Sequence, residues 1–228
     1  YAFLENGNPE RAITTFEQAA NLGVRQEQAL AAIAQTETEV ANAQINDIRL
    51  LISAAESQEK WQVAVDEYDK ALAIDSNLLF ALDGREYADK RAQLDRLLVD
   101  ANVNPVRFAE DEVFQQTLDV YYTGRAIEDP GPKLVGQLDE LQILLENSQV
   151  PLDIQFVSDN RTDVTLRRIG NIGSFEQHSV SLKPGNYVAV GSRVGYREVR
   201  VEFTVGFGLT PVSVVVQCEE LIASINRR

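Results

Sequence analysis

Methionine is absent from the 228 residues, and histidine, cysteine and tryptophan occur once each, as His178, Cys218 and Trp61. One imidazole and one thiol cannot supply the ligand set of a structural zinc site, and a single cysteine closes no intramolecular disulfide. No stretch approaches the roughly 18 consecutive apolar residues that a membrane-spanning helix needs. Ser179 and Ser181 lie near His178, but adjacent strand residues point to opposite faces and no orienting carboxylate is specified, so a nucleophilic triad is not expected. Gly206 and Gly208 lack the remaining glycine and lysine pattern of a phosphate-binding loop. The sequence therefore predicts no catalytic residue, no metal, no cofactor and no small-molecule substrate. Lacking an initiator methionine and a recognisable leader, it reads as a piece of a longer protein whose targeting information lies upstream.

Basic residues are scarce through the first two thirds of the chain. Residues 1–149 hold 27 acidic against 12 basic side chains, whereas residues 150–228 hold 8 against 9. Phosphate recognition needs clustered Lys and Arg, so nucleic acid is not an expected partner. Acidity of this kind also keeps a helical surface solvated. With 44% hydrophobic and 25% charged residues the chain is composed like a folded protein, and its length suits two domains.

Helical patterning dominates residues 1–149. In the segment GNPERAITTFEQAANLG, Ala12, Phe16 and Ala19 fall at spacings of four and three, and in EKWQVAVDEYDKALAID, Ala64, Tyr68 and Ala71 repeat them. A small residue, a ring and a second small residue then share one helix face, where a neighbouring helix can approach closely. This pattern resembles the second helix of the tetratricopeptide repeat, with Gly7 and Asn8-Pro9 marking the turn before it. The two echoes stand 52 residues apart, against about 34 in that family, and the proline that usually follows is missing from both. Between the echoes, residues 26–57 contain no Pro or Gly and predict one long helix or two end to end. Further helices are expected at about 78–102, 110–127 and 133–147, and residues 1–6 as the end of a truncated first helix. Such arrays bind proteins on a concave face, for which Arg49, Gln62, Glu67, Arg85 and Arg91 have the right residue types; Trp61 is expected to pack.

From Val150 onward the pattern alternates with a period of two, punctuated by Gly and Pro. Strands are expected at 152–158, 163–168, 178–182, 187–192, 196–205 and 212–218, forming a small antiparallel sandwich. Val212, Val214, Val216 and Cys218 would share its inner face, leaving Cys218 buried and inert. The run LKPGNYVAVGSRVGYREVRVEFTVGFG, with Pro184-Gly185 before one strand and Gly195-Tyr196 opening the next, resembles the PEGA family of small β modules. That resemblance implies a bacterial surface or envelope setting and supplies no catalytic residues.

The expected fold is thus α+β and multidomain: a helical repeat domain over 1–149, a β-sandwich over 150–220 and a tail over 221–228. Its expected function is a non-enzymatic scaffold in the periplasm or cell envelope, anchored by a membrane segment upstream, with the helices holding a protein partner. Arg167, Arg168, Lys183, Arg193, Arg197 and Arg200 form a candidate basic patch for anionic cell-wall polymer, lipid headgroups or the acidic helices. Scattered surface charge is the alternative for those six. For the whole chain, the alternatives are a cytoplasmic regulatory scaffold in a larger signalling protein, or a carbohydrate-processing enzyme using paired carboxylates.

Overall fold

The computed structural model describes residues 2–23 and 25–222. The chain is α+β, with helices first and strands after, and it divides into two compact units, residues 1–95 and residues 96 onward.

The first unit contains α1 (Ala2–Glu5), α2 (Pro9–Asn21), α3 (Gln26–Ser57), α4 (Trp61–Ile74) and the beginning of α5 (Leu79–Val103). Pro9 occupies the first turn of α2, where its missing N–H goes unneeded, and the Asn8 side chain accepts from the Arg11 N–H at 3.4 Å. With nothing to break it, α3 runs unbroken over 32 residues and serves two neighbours, packing against both α2 and α4. Connections this short between helices in contact make each pair antiparallel.

Both small-ring-small triplets do what their spacing predicts. Ala12, Phe16 and Ala32 form one buried cluster with Leu4 and Ile33 against it, while Ala19 is half-buried. Ala64, Tyr68 and Ala71 sit in a larger cluster with Ile52 and Ala55 of α3 and Ala81, Ala88 and Ala92 of α5. Close approach is enforced at Gly84, where an added Cβ would lie 2.2 Å from the Tyr68 hydroxyl oxygen. That hydroxyl donates to Glu56 at 2.8 Å; burial, and then the neighbouring carboxylate, push its pKa up to about 12.

A buried ionic group ties the α3–α4 turn to α5. Arg91 is 5% exposed and lies 3.5 Å from the Glu59 carboxylate, itself 5% exposed. The guanidinium sits over the Trp61 ring, 4.3 Å from its centroid, and donates to the Tyr87 hydroxyl at 3.0 Å. Trp61 and Tyr87 meet edge to face at 5.6 Å. Glu59 adopts a φ of 52°, a left-handed cap in which the Glu59 and Lys60 N–H groups return to the carbonyls of Glu56 and Ala55.

The second unit contains the end of α5, a 3-10 turn (Pro105–Ala109), α6 (Asp111–Arg125), α7 (Pro132–Ser148) and the strands β1 (Leu152–Val157), β2 (Asp163–Leu166), β3 (Gly170–Gly173), β4 (Gln177–Leu182), β5 (Gly185–Ser192), β6 (Val199–Val205) and β7 (Val214–Val215). One sheet has the order β4-β1-β7 and the other β3-β2-β5-β6. A single buried cluster draws on both, with Ile154, Phe156, Leu182 and Val214 from the first and Val164, Leu166, Ala189 and Val205 from the second. The 3-10 turn packs on β5, and an added Cβ at Gly185 would lie 2.7 Å from that of Ala109.

The structure differs from the sequence reading in particular places. Helices α6 and α7 belong to the second compact unit, with the strands. The β1–β7 ladder is parallel, although alternation had suggested an all-antiparallel arrangement; the other ladders are antiparallel. Strand β3 was not expected, because its glycines read as turn. Val214, Val216 and Cys218 are buried, but Val212 is 96% exposed and lies outside the ladder. Tyr1 and, beyond Ile222, the expected tail lie outside the described residues.

Arg91→Met is expected to destabilise the protein by about 3–5 kcal/mol, because it removes the guanidinium from the buried Glu59 carboxylate and from the Trp61 and Tyr87 rings. Pairing it with Glu59→Gln is expected to restore part of that loss. Urea denaturation of the single and double variants checks this, and equal losses in both would show that the pairing leaves no uncompensated charge.

Candidate functional site

The six basic residues singled out in the strand region do not form one patch. Arg193 is half-buried; its guanidinium donates to Asp159 at 3.0 Å and lies 3.9 Å from the Tyr196 ring centroid. Arg197 bonds both carboxylate oxygens of Glu220 at 3.0 Å, and Arg200 bonds Glu202 at 2.7 Å. Lys183 donates to the Gln149 side chain at 3.0 Å. Arg167 and Arg168 are exposed and have no ion pair among the described residues.

Those two arginines come together through the backbone of the β2–β3 turn. Leu166 pairs with Gly170 across the turn, the Arg167 N–H donates to the Val188 carbonyl at 3.0 Å, and the Ile169 N–H returns to Leu166 at 3.2 Å. Consecutive strand side chains would face opposite ways. Arg168 instead takes a φ of 69°, which re-aims its side chain at a cost of about 1 kcal/mol for a residue with a Cβ. Both residues line one open cleft of about 630 Å³, together with Glu110 and the stretches 186–188 and 202–204 of the β5–β6 ladder.

The Tyr187 and Phe203 rings lie on the core face of the β5–β6 ladder, opposite to the side chains of Asn186, Glu202 and Thr204. Tyr187 and Phe203 are cross-strand partners whose rings stack with centroids 5.7 Å apart, and Phe203 in turn meets the buried Phe156 edge to face at 5.6 Å. The Tyr187 hydroxyl donates to the Lys183 carbonyl at 2.8 Å, and burial pushes its pKa up. Asn186 and Thr204, the next cross-strand pair, also line the cleft; the Thr204 hydroxyl donates to the Asn186 carbonyl oxygen at 2.8 Å. Sequence reasoning missed Glu110, Asn186 and Glu202 as residues that share a cleft with the arginines. The doubled arginine just before Ile169-Gly170 was the one local sign of a turn that could bring two cations to the same side.

Other candidates are used within the fold. On the first unit, Arg91 and Glu67 are buried, contrary to the exposed roles their types suggested, because Arg91 serves Glu59 and Glu67 accepts from Lys70 at 2.6 Å. Arg85 pairs with Asp69, Arg49 covers the Phe80 ring at 3.8 Å, and Gln62 bonds Asp66 at 3.1 Å. Trp61 packs, as expected. His178 is exposed beside Phe175, and the buried Cys218 thiol lies 3.2 Å from the Gly191 carbonyl oxygen.

The pairing of Arg193 has a pH signature. Burial pushes the Asp159 carboxyl upward, but N–H groups of Thr162 and Arg161, the Thr162 hydroxyl and Arg193 more than offset it and hold the pKa at about 2. A depressed carboxylate contributes stability above its unfolded value of about 3.9 and loses it as pH falls through the folded value. Asp159→Asn is therefore expected to lower the Tm at pH 6 and to differ less from the native protein at pH near 2, as followed by thermal unfolding across that range. A constant difference at both ends would show that ionisation of Asp159 does not stabilise the fold.

Set beside known protein families, curated proteins and solved structures, the chain matches none of them.

Proposed function

We propose that this chain is a non-enzymatic interaction module of a bacterial envelope protein. In this reading the helical region is a tetratricopeptide-type array that binds a protein partner, and the strand region is a PEGA-like sandwich that spaces or anchors the assembly. The observation that supports it most is the build of the first unit: consecutive antiparallel helices closed by alanine seams, with large aliphatics turned to solvent. Leu50 and Leu79 are 71% and 73% exposed on α3 and α5, amid an otherwise acidic surface. Stacked helices of this kind work through their surface, and exposed aliphatic groups gain most from being covered.

No helix among the described residues is long and apolar enough to cross a membrane, so anchorage in this reading comes from another part of the protein. A photo-crosslinking residue placed at Leu50 or at Leu79 tests the proposal in cells of the source organism. A discrete protein adduct from the envelope fraction is expected, lost on changing to Glu the neighbouring Leu51, which is also exposed on α3. An adduct from the cytosolic fraction alone would transfer the function to a cytoplasmic scaffold, and no adduct from either would overturn partner binding by these helices.

A further inference from the structure

We infer that the outer edge of β6 is a homodimer interface, where β6 of a second copy adds antiparallel and joins two four-stranded sheets into one. The inference goes beyond the role proposed for the helices and does not depend on it. β6 ends the β3-β2-β5-β6 sheet, and no strand among the described residues lies along its other side. It is the longest of the edge strands, at seven residues against six for β4, four for β3 and two for β7. Sheet edges are usually protected by a proline, a bulge or an inward-pointing charge. β6 has none of these: it reads VRVEFTV, its ladder with β5 is regular, and Val199, Val201, Phe203 and Val205 are its core-facing side chains.

Register and charge together say what fits this edge. The Arg167 N–H donates to the Val188 carbonyl, its opposite number in the β2–β5 register, so the Val188 backbone is turned toward β2. Tyr187, Ala189 and Gly191 are then turned toward β6, where they meet Phe203, Val201 and Val199. The N–H and C=O groups of Arg200, Glu202 and Thr204 therefore face the open edge. A two-fold axis beside Val201 sets Arg200 directly opposite Glu202 of the second copy, and both residues turn their backbone groups to the shared edge. The charged pairs are thus the hydrogen-bonded pairs of the new ladder. Opposite charges facing each other across strands stabilise, and like charges destabilise. Sliding the second copy by two residues sets Glu202 against Glu202 or Arg200 against Arg200, and sliding it by one sets outward-facing backbone against backbone bonded to β5. A slide by four that would lay Arg200 against Glu198 needs residues 196–197, whose backbone already meets Leu221 and Glu220. Within one chain Arg200 bonds Glu202 at 2.7 Å with both side chains more than half exposed, so pairing across the axis extends that bond into an alternating ring of charges. The same register covers the half-buried core-facing row, with Val201 against Val201 and Val199 against Phe203. Self-complementarity about a two-fold axis marks an isologous contact and favours a second copy over an unrelated strand.

Sedimentation equilibrium of the intact protein, over a concentration series reaching about 1 mM, tests this. A reversible monomer–dimer equilibrium is expected. Glu202→Arg and Arg200→Glu each set like charges opposite one another and are expected to weaken it at least about tenfold. Combining the two changes in one chain restores opposite pairing and is expected to return association to within about threefold of the native protein. An equimolar mixture of the two single variants is expected to recover it likewise, as a heterodimer. Glu202→Pro removes an outward N–H and spares the ladder with β5, so it is expected to give a monomer with native circular dichroism. A native protein that stays monomeric throughout the series would leave the edge to an unrelated strand and overturn the proposal. So would a dimer indifferent to the single charge reversals or to the proline, or single-variant losses that neither the combined variant nor the mixture recovers.

Discussion

A guanidinium removed from water must find its hydrogen bonds and its counter-charge inside the fold, and the arrangement of the first unit follows from where Arg91 finds them. Its partners come from the α3–α4 turn, the first residue of α4 and its own helix α5: Glu59, Trp61 and Tyr87. Cation–π contact with a desolvated ring contributes about 2 kcal/mol, but the larger effect is geometric. The carboxylate must stand at one place, so the turn that carries it must take one form, and α4 must leave that turn in one direction. The alanine seam then has its register set: Ala64, Tyr68 and Ala71 meet Ala81, Ala88 and Ala92 with Gly84 admitting the tyrosine ring. Small residues permit a close approach and the buried ion pair selects one among the approaches they permit.

The second unit solves a different problem, that of two sheets sharing a core while presenting charge at their rim. Phe156, Leu166 and Val205 are wholly buried between the sheets, and the residues flanking them alternate outward as the strand period requires. Arg193, Arg197 and Arg200 are each matched by a carboxylate, whereas Arg161, Arg167 and Arg168 have no ion pair among the described residues. Where the chain leaves β2 the alternation is interrupted, and Arg167 and Arg168 both come to line one cleft. The stacked Tyr187 and Phe203 rings lie on the other, core-facing side of the β5–β6 ladder, where Phe203 meets Phe156.

The elements were more legible than their assembly. The α3 boundaries followed from a stretch free of Pro and Gly, and α5, α6 and α7 followed within a few residues from the Asn104-Pro105 and Pro130-Gly131-Pro132 breaks. The triplets Ala12-Phe16-Ala19 and Ala64-Tyr68-Ala71 announced which faces would be covered. Arg91 could not be read as buried, because burial of a cation depends on a carboxylate 32 positions earlier and on two rings that only the packed helices bring together. The six basic residues were equally ambiguous for want of strand order: the same spacing admits a shared patch or six separate fates, and the ladder registers decide. Strand β3 escaped notice since Gly170 and Gly173 carry no apolar signal, its pairing being fixed by backbone bonds to β2.

Left-handed backbone at a residue with a Cβ invites a reason, and the two units supply instructive cases. Asn160 and Asp129 belong to types that adopt the conformation readily. Glu59 does not, yet its carboxylate is held by Arg91, so an interaction inside the protein accounts for a glutamate where glycine would be less strained. Arg25 shares the torsion at the start of α3, where its carbonyl accepts the Ala29 N–H, so the torsion by itself identifies nothing. Arg168 differs from all of these in combining the strained torsion, a cleft shared with Arg167 and the absence of a carboxylate partner among the described residues. Glycine at that position would close the same turn with less strain. No ion pair among the described residues accounts for the arginine, which shares with Arg167 an exposed position at the cleft where β2 ends.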